Sequence, residues 1–435
     1  MTEKYESPFS SFLWGTATSA HQIEGNNRFN DWWEWEQSGR LKHASGVACD
    51  HYRLFRQDIE LISKLGHNAY RFSVEWSRIE PEENIWNEVA LAYYGDILRE
   101  LKSRHIEPIV TLHHFTNPVW FMRKGGWLLP DAPALFARFV KKVVSVLGKD
   151  VRLWITINEP MIYLYFSYLL GDWPPGNHSF KDSIIVFKNL VRAHVHAYQV
   201  IHQIYESALQ TQVWVSIAQH MTHMMPCRPN SIRDRLVVTL RRWFVNFLFL
   251  EAVQNGMLFF PGLFCEALPR KKSLDFIGIN YYSRQFVRSK GWIGADMLGD
   301  MCSQDHHGKD ICECNSLGWE IYPEGLYQVL KSLRKLKLPV LIAENGICTT
   351  DDEQRTRFIR DHVAAVHRAI RESVQVWGYL YWSLVDNFEW DKGFAPRFGI
   401  VEVDYQTQTR KVKSSAQELE RSCRKLCHGN ENHAG

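Results

Sequence analysis

Two glutamates stand at the ends of apolar runs. In "RLWITINEP", Glu159 follows Leu153 to Ile157, and in "PVLIAENG", Glu344 closes a run that begins at Pro339. Runs of β-branched and bulky apolar residues read as buried strands, and a carboxyl group at the tip of a rigid strand is held more firmly than one on a free loop. A pair of carboxyl groups facing each other over a bound sugar can cleave a glycosidic bond. One attacks the anomeric carbon while the other protonates the leaving oxygen when they stand about 5–5.5 Å apart, whereas a wider gap admits a water between carboxylate and sugar. Sequence spacing alone leaves both geometries open.

The elements that would position such a pair recur along the chain. Strand-like runs are "FLWGTA" from Phe12, "NAYRFSV" from Asn68, "PIVTLHH" from Pro108, "LWITIN" from Leu153, "VWVSIAQ" from Val213, "DFIGINYY" from Asp275, "PVLIAEN" from Pro339 and "WGYLYWS" from Trp377. Helical spacing separates them: Tyr52, Phe55, Ile59, Ile62 and Leu65 form one apolar stripe, and Leu135, Phe136, Phe139, Val140, Val143 and Leu147 form another, with Gly148 placed to end the helix. Eight strands alternating with helices predict an α/β fold, a single (β/α)₈ barrel over residues 1–425 with a polar tail at 426–435. An open doubly wound sheet would more usually carry a glycine-rich turn after its first strand, and "GTATSAHQIEG" is not one.

Reactive groups of such a barrel lie at the carboxyl ends of its strands. Those ends carry His21 and Gln22, Arg71, His113 and His114, Asn158 and Glu159, Gln219 and His220, Asn280 and Tyr282, Glu344 and Asn345, and Trp382 and Ser383. Any one of them has a bland reading as a solvated strand end. Eight polar or aromatic tips around one mouth are harder to explain that way, and strands four and seven lie across the mouth from one another.

Composition narrows the classes of partner. With 51 basic and 48 acidic side chains the formal charge is +3, so no overall field favours nucleic acid or an anionic membrane. No apolar run is long enough to span a bilayer, and "MTEKYESPFSSFLWG" lacks the pattern of a secretory signal. Nine cysteines form an odd, scattered set, which fits thiols of a reducing compartment and makes the cytoplasm the expected location. The 17 Trp, 17 Tyr and 24 Phe are enough to supply sugar-stacking faces as well as core packing.

"TINEP" (Thr156–Pro160) and "IAENG" (Ile342–Gly346), together with "FLWGTATSAHQIEG", "YRFSVEWSRIEP", "TLHHFTNP", "DFIGINYY", "GWEIYPEGL" and "YWSLVDNFEW", resemble in order the motifs of glycoside hydrolase family 1, the β-glucosidase family. The resemblance covers nearly the whole chain. It implies a cofactor-independent, retaining exo-β-glycosidase that acts on small β-glucosides, with β-galactosides or β-fucosides also accepted. Glu344 is similar to the family's nucleophile and Glu159 to its acid/base. Arg71 and Tyr282 would hold Glu344 ionised, and Asn158 would hold the sugar 2-hydroxyl. Gln22, His114, Asn280, Glu389 and Trp390 would bind the sugar, Trp382 would lie under its ring and Trp319 would line the leaving-group side. Glu389 is expected to repel a 6-phosphate, and Glu159 argues against the thioglucosidase branch, which has glutamine there. Phe115 stands where many relatives have tryptophan, and "GNNRFNDWWEWE" replaces the commoner "GPSIWD".

The rival readings are a sugar-binding barrel without catalysis and a transglycosylase that uses the same intermediate. Three further signals receive a structural reading. Cys302, His306, His307, Cys312 and Cys314 lack paired metal-ligand spacing and are expected in a surface loop, so no metal is assigned. "IRDRLVVTLRRWF" (Ile232–Phe244) is expected to be an outer barrel helix, and His194 and His196 to be ordinary helix residues.

Overall fold

The computed structural model describes residues 8–290, 298–302, 307 and 313–428. Eight strands, β1 (Leu13–Ala17), β2 (Ala69–Ser73), β3 (Glu107–His113), β4 (Leu153–Asn158), β5 (Trp214–His220), β6 (Ile277–Tyr281), β7 (Val340–Asn345) and β8 (Val376–Trp382), pair in parallel and close on themselves, β1 between β8 and β2. Each expected run is one of these strands. In β1, β2, β4, β6 and β7 every residue is buried, because one face of the barrel meets the helices and the other fills the interior.

Helices connect the strands and form the outer ring: α1 (His51–Lys64), α2 (Glu88–Ser103), α3 (Ala132–Leu147), α4 (Phe180–Ile204), α5 (Leu248–Asn255), α6 (Pro323–Leu333), α7 (Asp352–Arg371) and α8 (Ser415–His428). Phe55, Ile59 and Ile62 of α1 are buried, as are Phe136, Phe139, Val140 and Val143 of α3, while Tyr52 and Leu135 edge the two stripes. Gly148 does follow the last residue of α3, but with φ −59° it keeps a helical conformation, and the chain tightens there into a short 3₁₀ turn. At its other end the ring runs on to His428 in α8, beyond the start of the expected polar tail.

Close approach fixes two glycines. A Cβ on Gly15 would lie 1.8 Å from the Ala69 carbonyl oxygen, and one on Gly346 would lie 1.9 Å from that of Trp382. Only a residue without Cβ lets β1 meet β2, or the end of β7 meet β8, at this spacing.

The helix Ile232–Arg242 departs from its expected place in the outer ring. Its Val237 and Val238 pack with Met224 and Val287 on a separate sheet of Asp300–Met301, Arg284–Arg288 and His223–Pro226. The helix therefore roofs an excursion above the barrel mouth. His194 is buried in α4 between the Thr156 hydroxyl at 2.7 Å and the Ser273 carbonyl at 2.6 Å, as a satisfied core histidine.

Candidate active site

Irregular backbone at the tips of β4 and β7 aims their side chains. Leu153 and Ile155 of β4 belong to the interior cluster and Trp154 to the outer one. Strict alternation would then point Ile157 inward and Asn158 outward. A register shift between Ile155 and Asn158 reverses that order, so Ile157 packs outside and Asn158 lines the cavity. In β7 the interior residues are Leu341 and Ala343, and a shift between Ile342 and Glu344 likewise brings Glu344 to the cavity. Bulges re-aim side chains in this way at barrel rims. Glu159 follows in the left-handed region, φ 44° and ψ 56°, directly before Pro160 begins a short helix. A non-glycine residue held there carries strain that its surroundings must enforce.

The two glutamates share one hydrogen-bond network. Arg71 Nη1 donates to Glu344 Oε1 at 2.6 Å, and the Tyr282 hydroxyl donates to Glu344 Oε2 at 2.6 Å. Arg71 Nη2 donates to Asn158 Oδ1 at 2.7 Å. Asn280 Nδ2 donates to the same Asn158 oxygen at 3.1 Å and to Glu159 Oε1 at 2.8 Å. His220 Nδ1 stands 3.3 Å from that Glu159 oxygen. With Asn158 Oδ1 occupied by two donors, its amide nitrogen is left toward His114 Nε2 at 3.2 Å and the cavity.

Electrostatics partly revise the expected protonation. Burial pushes the Glu344 carboxyl up to about 7; Arg71 pulls it down, Glu159 pushes it further up, and Tyr282 again pulls it down. Arg71 thus favours the ionised form as expected, yet desolvation is the larger effect. Tyr282 is held well above its usual range, chiefly by burial and then by Glu344, and stays a donor. His114 is driven well below its usual value by burial and then by Arg71, so its ring is neutral and its nitrogen can accept. Glu389 is pushed up to about 8 by burial and then by Glu344. Burial thus favours its neutral acid form, which weakens the expected repulsion of a phosphate.

A cavity of ≈ 520 Å³ opens above this network. Gln22, His114, Asn158, Glu159, Tyr282, Trp319, Glu344, Trp382, Glu389 and Trp390 all line it. Arg71 and Asn280 lie beneath, fully buried. Asn280, expected among the sugar-binding residues, donates to Asn158 and Glu159 from just beneath the cavity lining. Gln22 Nε2 donates to Glu389 Oε2 at 3.1 Å and to Asn387 Oδ1 at 3.0 Å, while Ser19 donates to Gln22 Oε1 at 2.7 Å. His114 stacks between Trp382 and Trp390, with interplanar angles of 20° and 15°. His21 does not reach the cavity but stacks on Trp390 from behind.

The model of glycosyl hydrolase family 1 matches residues 5–424. The chain belongs to that family. A curated family relative, the 1,4-beta-D-glucan glucohydrolase of Thermotoga neapolitana, is 34% identical over 93% of this chain and 95% of its own. The beta-galactosidase of Pyrococcus woesei is 30% identical over 92% of this chain and 93% of its own. Among solved structures, the beta-glycosidase from Pyrococcus horikoshii superimposes with a TM-score of 0.88 at 40% identity, covering 98% of this chain and 96% of that one.

Several family-1 site neighbours of this chain escaped sequence reasoning. His220 was visible as a strand tip but had no role until its distance to Glu159 was known. Asn387 anchors Gln22, and the outer cavity wall includes Phe166, Trp173, Phe244, Phe286 and Met301. Phe166 and Phe244 come from π-helical turns at Tyr165–Leu170 and Trp243–Phe247. Only the high aromatic content hinted at such a wall. No described helix is long and apolar enough to cross a membrane.

Proposed function

We propose that the protein is a retaining, exo-acting β-glycosidase whose first substrates are β-D-glucosides, with β-galactosides and β-fucosides tolerated. The observation that carries this reading is the Arg71–Asn158–Asn280 network, which holds Glu344 and Glu159 over one cavity in two different chemical environments. Glu344, with a guanidinium and a phenol on its oxygens, is the nucleophile. Glu159, bonded to an amide and near an imidazole, is the acid.

In the first step a Glu344 oxygen attacks the anomeric carbon as that carbon's bond to the leaving oxygen breaks, and Glu159 transfers its proton to the departing oxygen. Esterification removes the Glu344 charge. Glu159, now ionised, takes a proton from water as the water oxygen attacks the anomeric carbon and frees Glu344. Asn158 is fixed by Arg71 and Asn280 so that its amide nitrogen meets the 2-hydroxyl, a contact that strengthens as the ring approaches an oxocarbenium ion. The Glu389 carboxyl, held in place by Gln22, and the remaining lone pair of Gln22 Oε1 face hydroxyls at the inner end, where an axial or equatorial hydroxyl can bind. The Trp382 ring supplies a stacking face.

The outer wall of Phe166, Trp173, Phe244, Phe286 and Met301 favours an apolar leaving group over a second, heavily hydrated sugar. The cytoplasmic location remains part of this proposal, supported by the odd, scattered cysteine set. Proton NMR of the sugar first released from a nitrophenyl β-glucoside tests the mechanism. The β-anomer appearing before mutarotation is expected; first release of the α-anomer would make the enzyme inverting. Added alcohols that divert product to alkyl glucosides would reveal a transglycosylating branch through the same intermediate.

A further inference from the structure

Three metal-ligating side chains from distant stretches of chain meet beside the leaving-group wall. Cys227 directly follows the strand His223–Pro226, and its N–H donates to the Val287 carbonyl at 2.8 Å. Cys302 directly follows Asp300–Met301, and its N–H donates to the Phe286 carbonyl at 2.7 Å. The central strand Arg284–Arg288 therefore carries one cysteine on each flank, in register with positions that share a face of the sheet. On that face the His307 ring stacks on Phe286, 3.7 Å between centroids and 8° between planes. The ligand atoms of Cys227, Cys302 and His307 all lie within 4.8 Å of one another.

Two thiols and an imidazole make a borderline-to-soft donor set, suited to zinc and unsuited to magnesium or calcium. In a tetrahedral zinc site with bonds of about 2.0–2.3 Å the ligand atoms stand roughly 3.3–3.8 Å apart. Cys302 and His307 are 9% and 6% exposed and Cys227 is half-buried, so an ion there would be shielded on most sides and open on one. The neighbouring carboxylate, Asp234, is already engaged by Arg228 and by the Ser289 N–H.

We propose that Cys227, Cys302 and His307 bind a zinc ion through three protein ligands, with solvent in the fourth position. This revises the surface-loop reading of Cys302 and His307: the missing partner lay far upstream in Cys227, so no local spacing could display the set. His306 and Cys312 lie outside the described residues, and the site does not use them. Its place gives the ion a role. Phe286, Met301 and Cys302 line the active-site cavity, so the metal ties His307 to the wall that faces the leaving group. The glycosidic chemistry needs no metal, and the inference is independent of which glycoside is cleaved.

The test uses the full chain with reduced thiols, incubated with zinc sulfate and stripped of loosely held ion on a chelating resin. Parent protein and the exposed-cysteine control Cys265→Ser are expected to retain zinc in equimolar amount, and Cys227→Ser, Cys302→Ser and His307→Ala to lose it. Cobalt added to the metal-free parent should give a thiolate-to-metal charge-transfer band, a readout that needs no variant to fold. Zinc should also raise the melting temperature of the parent and not that of a folded Cys302→Ser protein. No retained zinc and no cobalt–thiolate band in the reduced parent would overturn the site. Retention undiminished in Cys302→Ser, or a Cys227–Cys302 disulfide in freshly purified protein that excludes zinc, would overturn it as well.

Discussion

The inner and outer halves of the cavity are built by different rules. The inner half stands on strand tips, and Arg71, Asn158, Asn280, Tyr282, Glu159 and Glu344 are held there by charge-assisted or amide hydrogen bonds of 2.6–3.1 Å. The outer half is contributed by π-helical turns and a small accessory sheet, and it presents aromatic and aliphatic faces. Directional bonds in a dry site position reacting atoms to fractions of an ångström, whereas apolar contacts select by size and tolerate exchange. The contrast assigns chemistry to the inner half and choice of leaving group to the outer half.

The largest effect should come from Glu344→Gln, which is expected to lower kcat on the order of 10⁴-fold or more, because no other group can form the intermediate. The same variant sharpens the contrast from the stability side. The carboxyl moves from 4.5 to about 7 on folding, so between those values the native state holds a proton that the unfolded chain has released. Its contribution therefore becomes unfavourable as pH rises through that window. Because glutamine does not titrate, the melting temperature of Glu344→Gln should rise relative to that of the parent as pH goes from 4.5 to 7.5. Thermal melts across pH check this, and a difference from the parent that does not change between pH 4.5 and 7.5 would contradict it.

Next in size, Glu159→Gln should cost about 10²–10⁴-fold on an alkyl glucoside, which needs its leaving oxygen protonated, and much less in bond cleavage for a nitrophenyl glucoside. Single-turnover release of the two leaving groups measures the difference. The acid limb of kcat/KM tests the ionised state of Glu344: activity should fall as pH drops through about 7, since protonation removes the nucleophile. Asn158→Ala, which withdraws a contact to the 2-hydroxyl, should lower kcat on the order of 10²-fold with either leaving group. A 2-deoxy substrate should be nearly blind to it.

The smallest effect belongs to the outer wall. Phe244→Ala should reduce kcat/KM about 10-fold for a long alkyl glucoside, the equivalent of about 1.4 kcal/mol of lost apolar contact. Methyl glucoside should hardly respond. Equal losses on both substrates would break the division between the two halves.

The same division separates what could be read in the sequence from what could not. Strands and glutamates were legible because a barrel strand is a short apolar run with a fixed period, and its tip must bear the polar residue that follows. Periodicity could not reveal which way the tip residues face: at Asn158 and Glu344 a register shift overrides the alternation. Asn280 was legible as a strand tip, but its bonds to Asn158 and Glu159 were not, since depth below the cavity has no sequence signal. The outer wall was the least legible part. Phe166 and Phe244 are far apart in the chain and are brought together by excursions that share no repeat with the barrel, and Ile232–Arg242 was misplaced for the same reason.

The central claim is that Glu344 forms the covalent bond to the sugar. Turnover of nitrophenyl β-glucoside by Glu344→Ala, with and without azide, tests it most directly, because a small anion can occupy the space left by the carboxylate. The account predicts near-complete loss of activity, partly restored by azide, with α-glucosyl azide as the product. A β-glucosyl azide would mean that a covalent intermediate had formed on another residue, and undiminished turnover without azide would remove Glu344 from the reaction altogether.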